Sequence, residues 1–192
     1  MRAMVAVFAT LLVSSVASAD AAEWAIDGSH SHVGFRISHL VVSSVSGRFK
    51  DVTGKVMLEE ADLTKSAVDI SIKVDSIDTD DAKRDAHLKG SDFFDSAKYP
   101  LITFHATKIV RGGPGYKVTG DLKIRDVSKS VTLDGKLSRS IKSPWGKDVR
   151  AAEFKGNIKR SDFGLKWNKA LDGGGVVIGE DVALDVALEI NK

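Results

Sequence analysis

Hydrophobic and polar residues alternate with a period of two over most of this 192-residue chain. In 67–74 (AVDISIKV) and 181–190 (DVALDVALEI) a branched aliphatic residue occupies every second position, and the pattern returns in 116–124, 131–137 and 154–158. Such alternation is typical of β-strands with one face buried and the other in water. About eight such strands joined by short turns predict an all-β fold, in which an antiparallel sheet closes into a barrel or packs on a second sheet.

The segment 45–58 changes the phase of this alternation. Hydrophobic residues and glycines fall on odd positions in 45–49 and on even positions in 52–58. A strand that faces one core throughout needs an extra residue where the phase changes, so we expect a β-bulge near Lys50-Asp51.

Residues 79–95 carry a helical pattern instead. Asp78 or Thr79 is the expected N-cap and Gly90 the expected end, because short polar residues cap helix N-termini and glycine follows C-termini. We expect one or two short helices over a mouth or flank of the sheet, or else a surface connection whose phenylalanines fill a gap. If the segment covers a mouth, its lid residues are Leu88, Phe93 and Phe94.

The N-terminal residues 1–19 have the features of a secretory signal peptide. Arg2 precedes an apolar run to about Val16, and Ala17-Ser18-Ala19 matches an A-x-A cleavage site. The run is too short for a transmembrane helix, which needs roughly 20 apolar residues; an N-terminal anchor is the alternative. We therefore expect cleavage near Ala19 and one exported domain over 20–192.

The composition of that domain excludes some classes of partner and of stabilising bond. The full chain has a net charge of +2, of which Arg2 supplies one, so no basic surface for nucleic acid or an anionic membrane is indicated. The chain has no cysteine, so neither disulfides nor thiolate metal sites contribute. Stability must come from one sizeable core.

The alternation leaves open whether a barrel interior is filled or hollow, because small eight-stranded barrels do both. Long strands rich in valine, isoleucine and leucine would enclose a deep, narrow, apolar space. Glycines in or beside the wall would leave room for a ligand. These glycines are Gly47, Gly54, Gly120, Gly135 and Gly156.

Three of the five histidines lie in SHSHVGFRISH at 29–39. In a regular strand His30 and His32 share one face, whereas His39 continues the opposite, hydrophobic row of 33–37. His30 and His32 could bind zinc only with a third ligand, such as His105 or an acid. His39 is either a core histidine bonded to a backbone carbonyl or a polar group that faces a ligand.

The chain contains none of the common catalytic signatures, such as a nucleophile elbow, a zinc-protease motif or a phosphate-binding loop. A lipid-modifying enzyme would need an acid–base pair directed into the interior, such as His39 beside an inward carboxylate. We therefore expect a protein without enzymatic activity.

A series of short elements occurs in a specific order between 24 and 190. They are Trp24, Ile26-Asp27, His30-Ser31, Val33, Phe35, His39-Leu40, Gly47, Phe49, Gly54, SIDT at 76–79, RDAHLKGSDFFD at 84–95, YPLITF at 99–104, VTGDLKI at 118–124 and RSDFG at 160–164. In these elements and their spacing the chain resembles the YceI-like family of bacterial exported polyisoprenoid-binding proteins. The resemblance implies a lipocalin-like, eight-stranded antiparallel β-barrel with a short helical insertion at about 79–95 and an apolar internal tunnel.

The resemblance thus favours the hollow interior. The expected tunnel wall is Val33, Phe35, Ile37, Phe49, Val68, Ile70, Ile72, Phe104, Leu122, Phe154, Ile158 and Val186. The expected head-group contacts are His39, Arg84, His87 and Arg160. A guanidinium suits phosphate oxygens, although an ion pair with a nearby acid would also explain Arg160.

The function that the resemblance implies is that of a periplasmic carrier for a long-chain isoprenoid lipid, such as a quinone or a polyprenyl phosphate. We expect no metal, no cofactor besides the bound lipid, no nucleic acid and no stable membrane insertion, and a homodimer is possible. A filled structural or adhesion barrel, a histidine-based metal-binding protein and a lipid-modifying enzyme remain the alternatives.

Overall fold

Eight antiparallel strands close into a barrel in this computed structural model, which describes residues 21–192. The elements are β1 (Ala22–His39), β2 (Ser43–Phe49), β3 (Val52–Leu58), β4 (Ala67–Lys73), β5 (Ile77–Asp78), α1 (Ala82–Lys89), β6 (Leu101–Gly112), β7 (Gly115–Ile124), β8 (Val127–Leu137), β9 (Ile141–Lys142), β10 (Asp148–Lys159) and β11 (Ile178–Asn191). The order around the barrel is β1-β3-β4-β6-β7-β8-β10-β11, and β11 pairs back to β1. The predicted all-β, eight-stranded antiparallel barrel with one short helix is therefore confirmed. The predicted signal peptide at 1–19 lies outside the described residues.

The strands β2 and β3 are two halves of one interrupted strand beside β1. Phe49 of β2 pairs with Val33, and Lys55 of β3 pairs with Ala25. The interruption falls at Lys50–Asp51, where the change of phase predicted an irregularity. Both halves therefore direct their hydrophobic residues into the same interior.

A second irregularity in β1 was not predicted. Its pairing with β11 passes from Asp27↔Glu189 to His32↔Ala187, so that residues 28–31 of β1 stand opposite a single residue of β11. The buried Ser31 bridges the gap, since its hydroxyl oxygen accepts the Glu189 N–H at 2.9 Å. Because of these extra residues, 29–39 is not one regular strand. The prediction of which histidines share a face assumed that it was.

The connections define two ends of the barrel. The upper end carries the β1–β2 turn at 40–42, the segment 74–100 with α1, and the loop 160–177. The lower end carries the connections 59–66 and 138–147, together with the C-terminus.

The helix α1 begins later than the sequence predicted. Asp81 is the N-cap, and its carboxylate accepts the N–H groups of Lys83 and Arg84. Thr79 does not cap α1, because its hydroxyl donates to Asp85 at 2.6 Å. The helix ends before Gly90, as predicted.

The β1–β2 turn combines a strained backbone with exposed hydrophobic side chains. Leu40 and Val41 have φ angles of 53° and 67°, in the left-handed region that costs a non-glycine residue about 1–3 kcal/mol. The exposed fractions of Leu40, Val41 and Val42 are 39, 72 and 86%.

Three glycines of the inner wall lie against phenylalanine rings. A Cβ atom added to Gly47 would lie 2.5 Å from the Phe35 ring, and one added to Gly120 would lie 2.5 Å from the Phe104 ring. Gly135 has the same relation to Phe154. The expectation that these glycines leave space for a ligand is therefore wrong at three positions, because aromatic rings occupy that space.

Candidate functional site

The barrel encloses two apolar cavities, one above the other. The upper cavity has a volume of about 440 Å³ and the lower about 110 Å³. Every expected wall residue lines one of them. The upper cavity is lined by Val33, Phe35, Ile37, Phe49, Ile72, Leu122 and Ile158, and the lower by Val68, Ile70, Phe104, Phe154 and Val186. The apolar interior thus contains one space of ordinary ligand-site size, for which about 300–1,000 Å³ is usual, and a second, smaller space.

The two cavities adjoin. Ile70 and Ile72 are successive inward residues of β4, yet Ile70 lines the lower cavity and Ile72 the upper. Trp24 is fully buried at the lower end of the barrel and does not line the lower cavity. The cations of Arg150 and Lys192 lie 5.2 and 4.8 Å from its ring.

Arg160 is a buried cation that lines the upper cavity, with 6% of the residue exposed. Its Nε donates to the Gly179 carbonyl at 2.8 Å, and Nη1 donates to the carbonyls of Leu165 and Trp167 at 2.6 and 2.9 Å. Among the described residues, Nη2 has no hydrogen-bond partner. Arg160 therefore joins the loop 160–177 to β11 through three hydrogen bonds.

The expected ion pair at Arg160 is a minor part of this arrangement. The nearest acid is Glu180, whose carboxylate lies 3.9 Å from Nε. Hydrogen bonds from Ser161, with a smaller effect of the Arg160 charge, hold the pKa of Glu180 below its ordinary value. Backbone carbonyls, rather than the Glu180 carboxylate, thus accept the hydrogen bonds of Arg160.

The other expected head-group residues also line the upper cavity, but they differ in the hydrogen bonds that they make. Arg84 is turned to the buried Thr79, to which Nε and Nη2 donate at 2.8 and 2.7 Å. His87 contacts Asp92 at 3.0 Å. The His39 side chain makes no hydrogen bond to any described residue. The alternative of a core histidine bonded to a backbone carbonyl is therefore wrong.

The lid residues Leu88, Phe93 and Phe94 all line the upper cavity. Sequence reasoning missed their partner Trp167, whose ring lies 4.9 Å from His87 and 5.3 Å from Phe93. Trp167 lies in an irregular loop, where no periodicity shows which residues face inward. The sequence offered one indication of its position, an aromatic residue between two lysines.

The histidine set proposed for a metal is not assembled. His30 lies in the irregular part of β1, His32 is exposed on the outer face, and His105 contacts Asp69 at 2.6 Å. His30 Nδ1 instead lies 3.1 Å from Asp27 and 3.7 Å from Glu189.

This surface cluster shifts the pKa values of two of its members. The hydrogen bond to Asp27 raises the pKa of His30, and hydrogen bonds from Ser29 and His30 lower that of Asp27. The three ligand atoms of Asp27, His30 and Glu189 lie within 4.8 Å of one another, a spacing that exposed ion pairs also have.

The cavities hold little acid–base chemistry. Among the described residues, the single acid that lines either cavity is Asp81. Asp81 caps α1, and the hydrogen bond from the Arg84 N–H lowers its pKa. It makes no hydrogen bond to His39, so the pair that a lipid-modifying enzyme would need is not formed.

Within 21–192, no helix is long and apolar enough to cross a bilayer.

Comparisons with known proteins agree with this geometry. The family model described as the YceI-like domain matches residues 24–190. Protein YceI of Escherichia coli O17:K52:H18 is 41% identical over 161 residues, which cover 83% of this chain and 84% of that protein. The crystal structure of Burkholderia cenocepacia BcnA is 25% identical and has a TM-score of 0.73, with 85% of this chain and 98% of that chain covered.

A more distant structure shares the fold alone. It is a polyisoprenoid binding domain from Saccharophagus degradans, 17% identical, with a TM-score of 0.59 and coverage of 87% of this chain and 97% of that chain. The family match spans nearly all of the barrel, from β1 to the end of β11. The chain belongs to the YceI-like family.

Proposed function

We propose that this protein is an exported carrier of a long-chain isoprenoid lipid, which it holds in the barrel without altering it covalently. The observation that carries the proposal is the pair of neighbouring apolar cavities: among the described residues, cationic and imidazole groups line the upper cavity and none lines the lower. A ligand with an apolar tail and an oxygen-bearing head group fits this polarity.

The tail supplies most of the affinity. Each methylene moved from water into the cavities contributes about 0.8 kcal/mol, so ten methylenes would contribute about 8 kcal/mol before the cost of ordering the chain. The lower cavity is small, at about 110 Å³, and the end of a long unbranched or isoprenoid tail would extend into it from the upper cavity.

The head group is held by few contacts. The Nη2 of Arg160 and the ring of His39 are two groups of the upper cavity with donor capacity left for a ligand. Both suit a quinone carbonyl or a phosphate oxygen. Trp167, His87 and Phe93 would cover the head group once it is bound.

The family and the fold support this proposal. A protein with the same fold is described as a polyisoprenoid binding domain, which is consistent with a lipid in this barrel. The predicted signal peptide at 1–19 supports export to the periplasm.

Mass spectrometry of lipids extracted from the purified protein tests the proposal. We expect an isoprenoid lipid in the wild type and at least a tenfold lower content in Ile158→Trp, because the indole fills part of the upper cavity. Asn157→Trp is the matched control, since Asn157 is the exposed neighbour of Ile158 on β10. An empty wild-type protein that takes up no isoprenoid lipid, or equal lipid content in both variants, would refute the proposal; bound zinc alone would favour the metal-binding alternative.

A further inference from the structure

The turn between β1 and β2 presents three consecutive hydrophobic side chains to water. We call Leu40, Val41 and Val42 the apolar tip. His39 pairs with Ser43, so the three residues form the whole loop of a hairpin. Hairpin loops that need positive φ angles normally use glycine, asparagine or aspartate, and a β-branched residue there, such as Val41, is a genuine outlier.

The apolar tip lies on the rim of the upper cavity. Its flanking residues His39 and Val45 line that cavity. The Leu40 N–H donates to the Val177 carbonyl at 2.8 Å, which joins the tip to the loop 160–177. Val176 of that loop is 42% exposed and extends the hydrophobic rim.

The same rim carries an aromatic residue and cations. Trp167 is half-buried beside the opening, and the Lys169 amino group lies 5.9 Å from its ring. Lys166 and Lys169 are exposed, and within the described chain neither has an acid within 4.0 Å. Aliphatic, tryptophan and lysine side chains in this arrangement match the layers of a bilayer surface, where lysine meets phosphate and tryptophan lies at the head-group level.

We propose that the apolar tip inserts into the surface of a lipid bilayer and directs the upper opening toward the membrane. This inference rests on the proposed carrier function, because a lipid that enters at this rim comes from a membrane. A bilayer explains the lysines and Trp167 together with the tip, whereas a protein partner would have to supply matching chemistry for each. The strained turn is then a cost to folding that is retained for docking.

Sedimentation with vesicles of phosphatidylethanolamine and phosphatidylglycerol tests the inference. We expect the wild type to bind and the double variant Val41→Asn/Val42→Ser to bind roughly tenfold more weakly, because less hydrophobic surface enters the bilayer. The same variant should have a higher Tm, since asparagine tolerates a positive φ. Val42→Ser alone leaves the strained residue in place and should weaken vesicle binding in the same direction.

Trp145→Ser is the matched control at the lower end, where Trp145 is 86% exposed. Its vesicle binding should equal that of the wild type. Wild-type protein that does not bind vesicles, tip variants that bind as well as the wild type, or an equal loss in Trp145→Ser would overturn the inference.

A separate assay distinguishes failure of the carrier function. Uptake of a long-tailed isoprenoid quinone from detergent does not need docking, so the double variant should match the wild type in it. If the wild type takes up no quinone from detergent, the carrier function fails; if uptake is normal and vesicle binding is absent, only the docking inference fails.

Discussion

Replacing Arg160 with methionine tests how the loop over the upper cavity is held. The substitution keeps a long hydrophobic side chain but removes the donors to three carbonyls, those of Gly179, Leu165 and Trp167. Each buried carbonyl left without a donor costs about 1–3 kcal/mol. Relief from burying a charge offsets part of this cost.

We therefore expect Arg160→Met to lower the free energy of unfolding by about 3–5 kcal/mol, a range that matches the removal of one partner from a buried charged pair. Domains of this kind have a total stability of roughly 5–15 kcal/mol, so the loss should be evident. Arg160→Lys keeps the charge but cannot reach all three carbonyls in the same geometry, and its loss should be intermediate.

Urea unfolding followed by tryptophan fluorescence measures these differences. Lys159→Met is the matched control, because Lys159 is exposed and its ion pair with Asp181, at 3.0 Å, lies on the surface; such pairs contribute about 0–1 kcal/mol. A loss below about 1 kcal/mol in Arg160→Met would refute the structural role assigned to Arg160. Lipid content should fall in the same variant, because Trp167 and the cavity roof depend on this loop.

Two further predictions concern the barrel wall and the surface cluster on β1. Gly135→Ala should lower the free energy of unfolding in urea by about 1–3 kcal/mol, because the new methyl group meets the Glu153 carbonyl. Gly173 has open space around it, so Gly173→Ala should change the free energy of unfolding little. Equal effects of the two substitutions would contradict the packing described. His30→Gln should lower Tm at pH values below the ordinary histidine pKa, and the difference from the wild type should vanish as pH rises through the raised pKa of His30. The contribution of Asp27, whose pKa is lowered, should disappear instead as pH falls through that pKa, so a Tm difference independent of pH would contradict the ion pair.

The sequence predicted the interior of the barrel well because alternation assigns each strand residue to one face. Val68, Ile70 and Ile72 line the cavities as the parity of β4 required. The change of phase at Lys50-Asp51 was visible for the same reason, since hydrophobic residues on both sides showed where the pairing had to shift.

Features without a repeating pattern could not be predicted. The extra residues at 28–31 separate His30 from His32, yet that segment is too polar to reveal a change of face. The positions of Trp167 and Arg160 depend on the loop 160–177, whose path is set by hydrogen bonds to backbone carbonyls. Gly47 and Gly135 leave no space for a ligand, because the rings of Phe35 and Phe154 lie against them. The sequence alone does not show which side chain packs on a glycine.

The placement of the polar groups at the upper cavity has a kinetic consequence. On the proposed carrier function, a lipid whose head group lies there enters tail first and leaves head first through the upper opening. Departure into water would expose the tail one methylene after another, and the barrier would grow with tail length. On that function, the loaded state would be long-lived in water and short-lived where an acceptor membrane meets the upper opening.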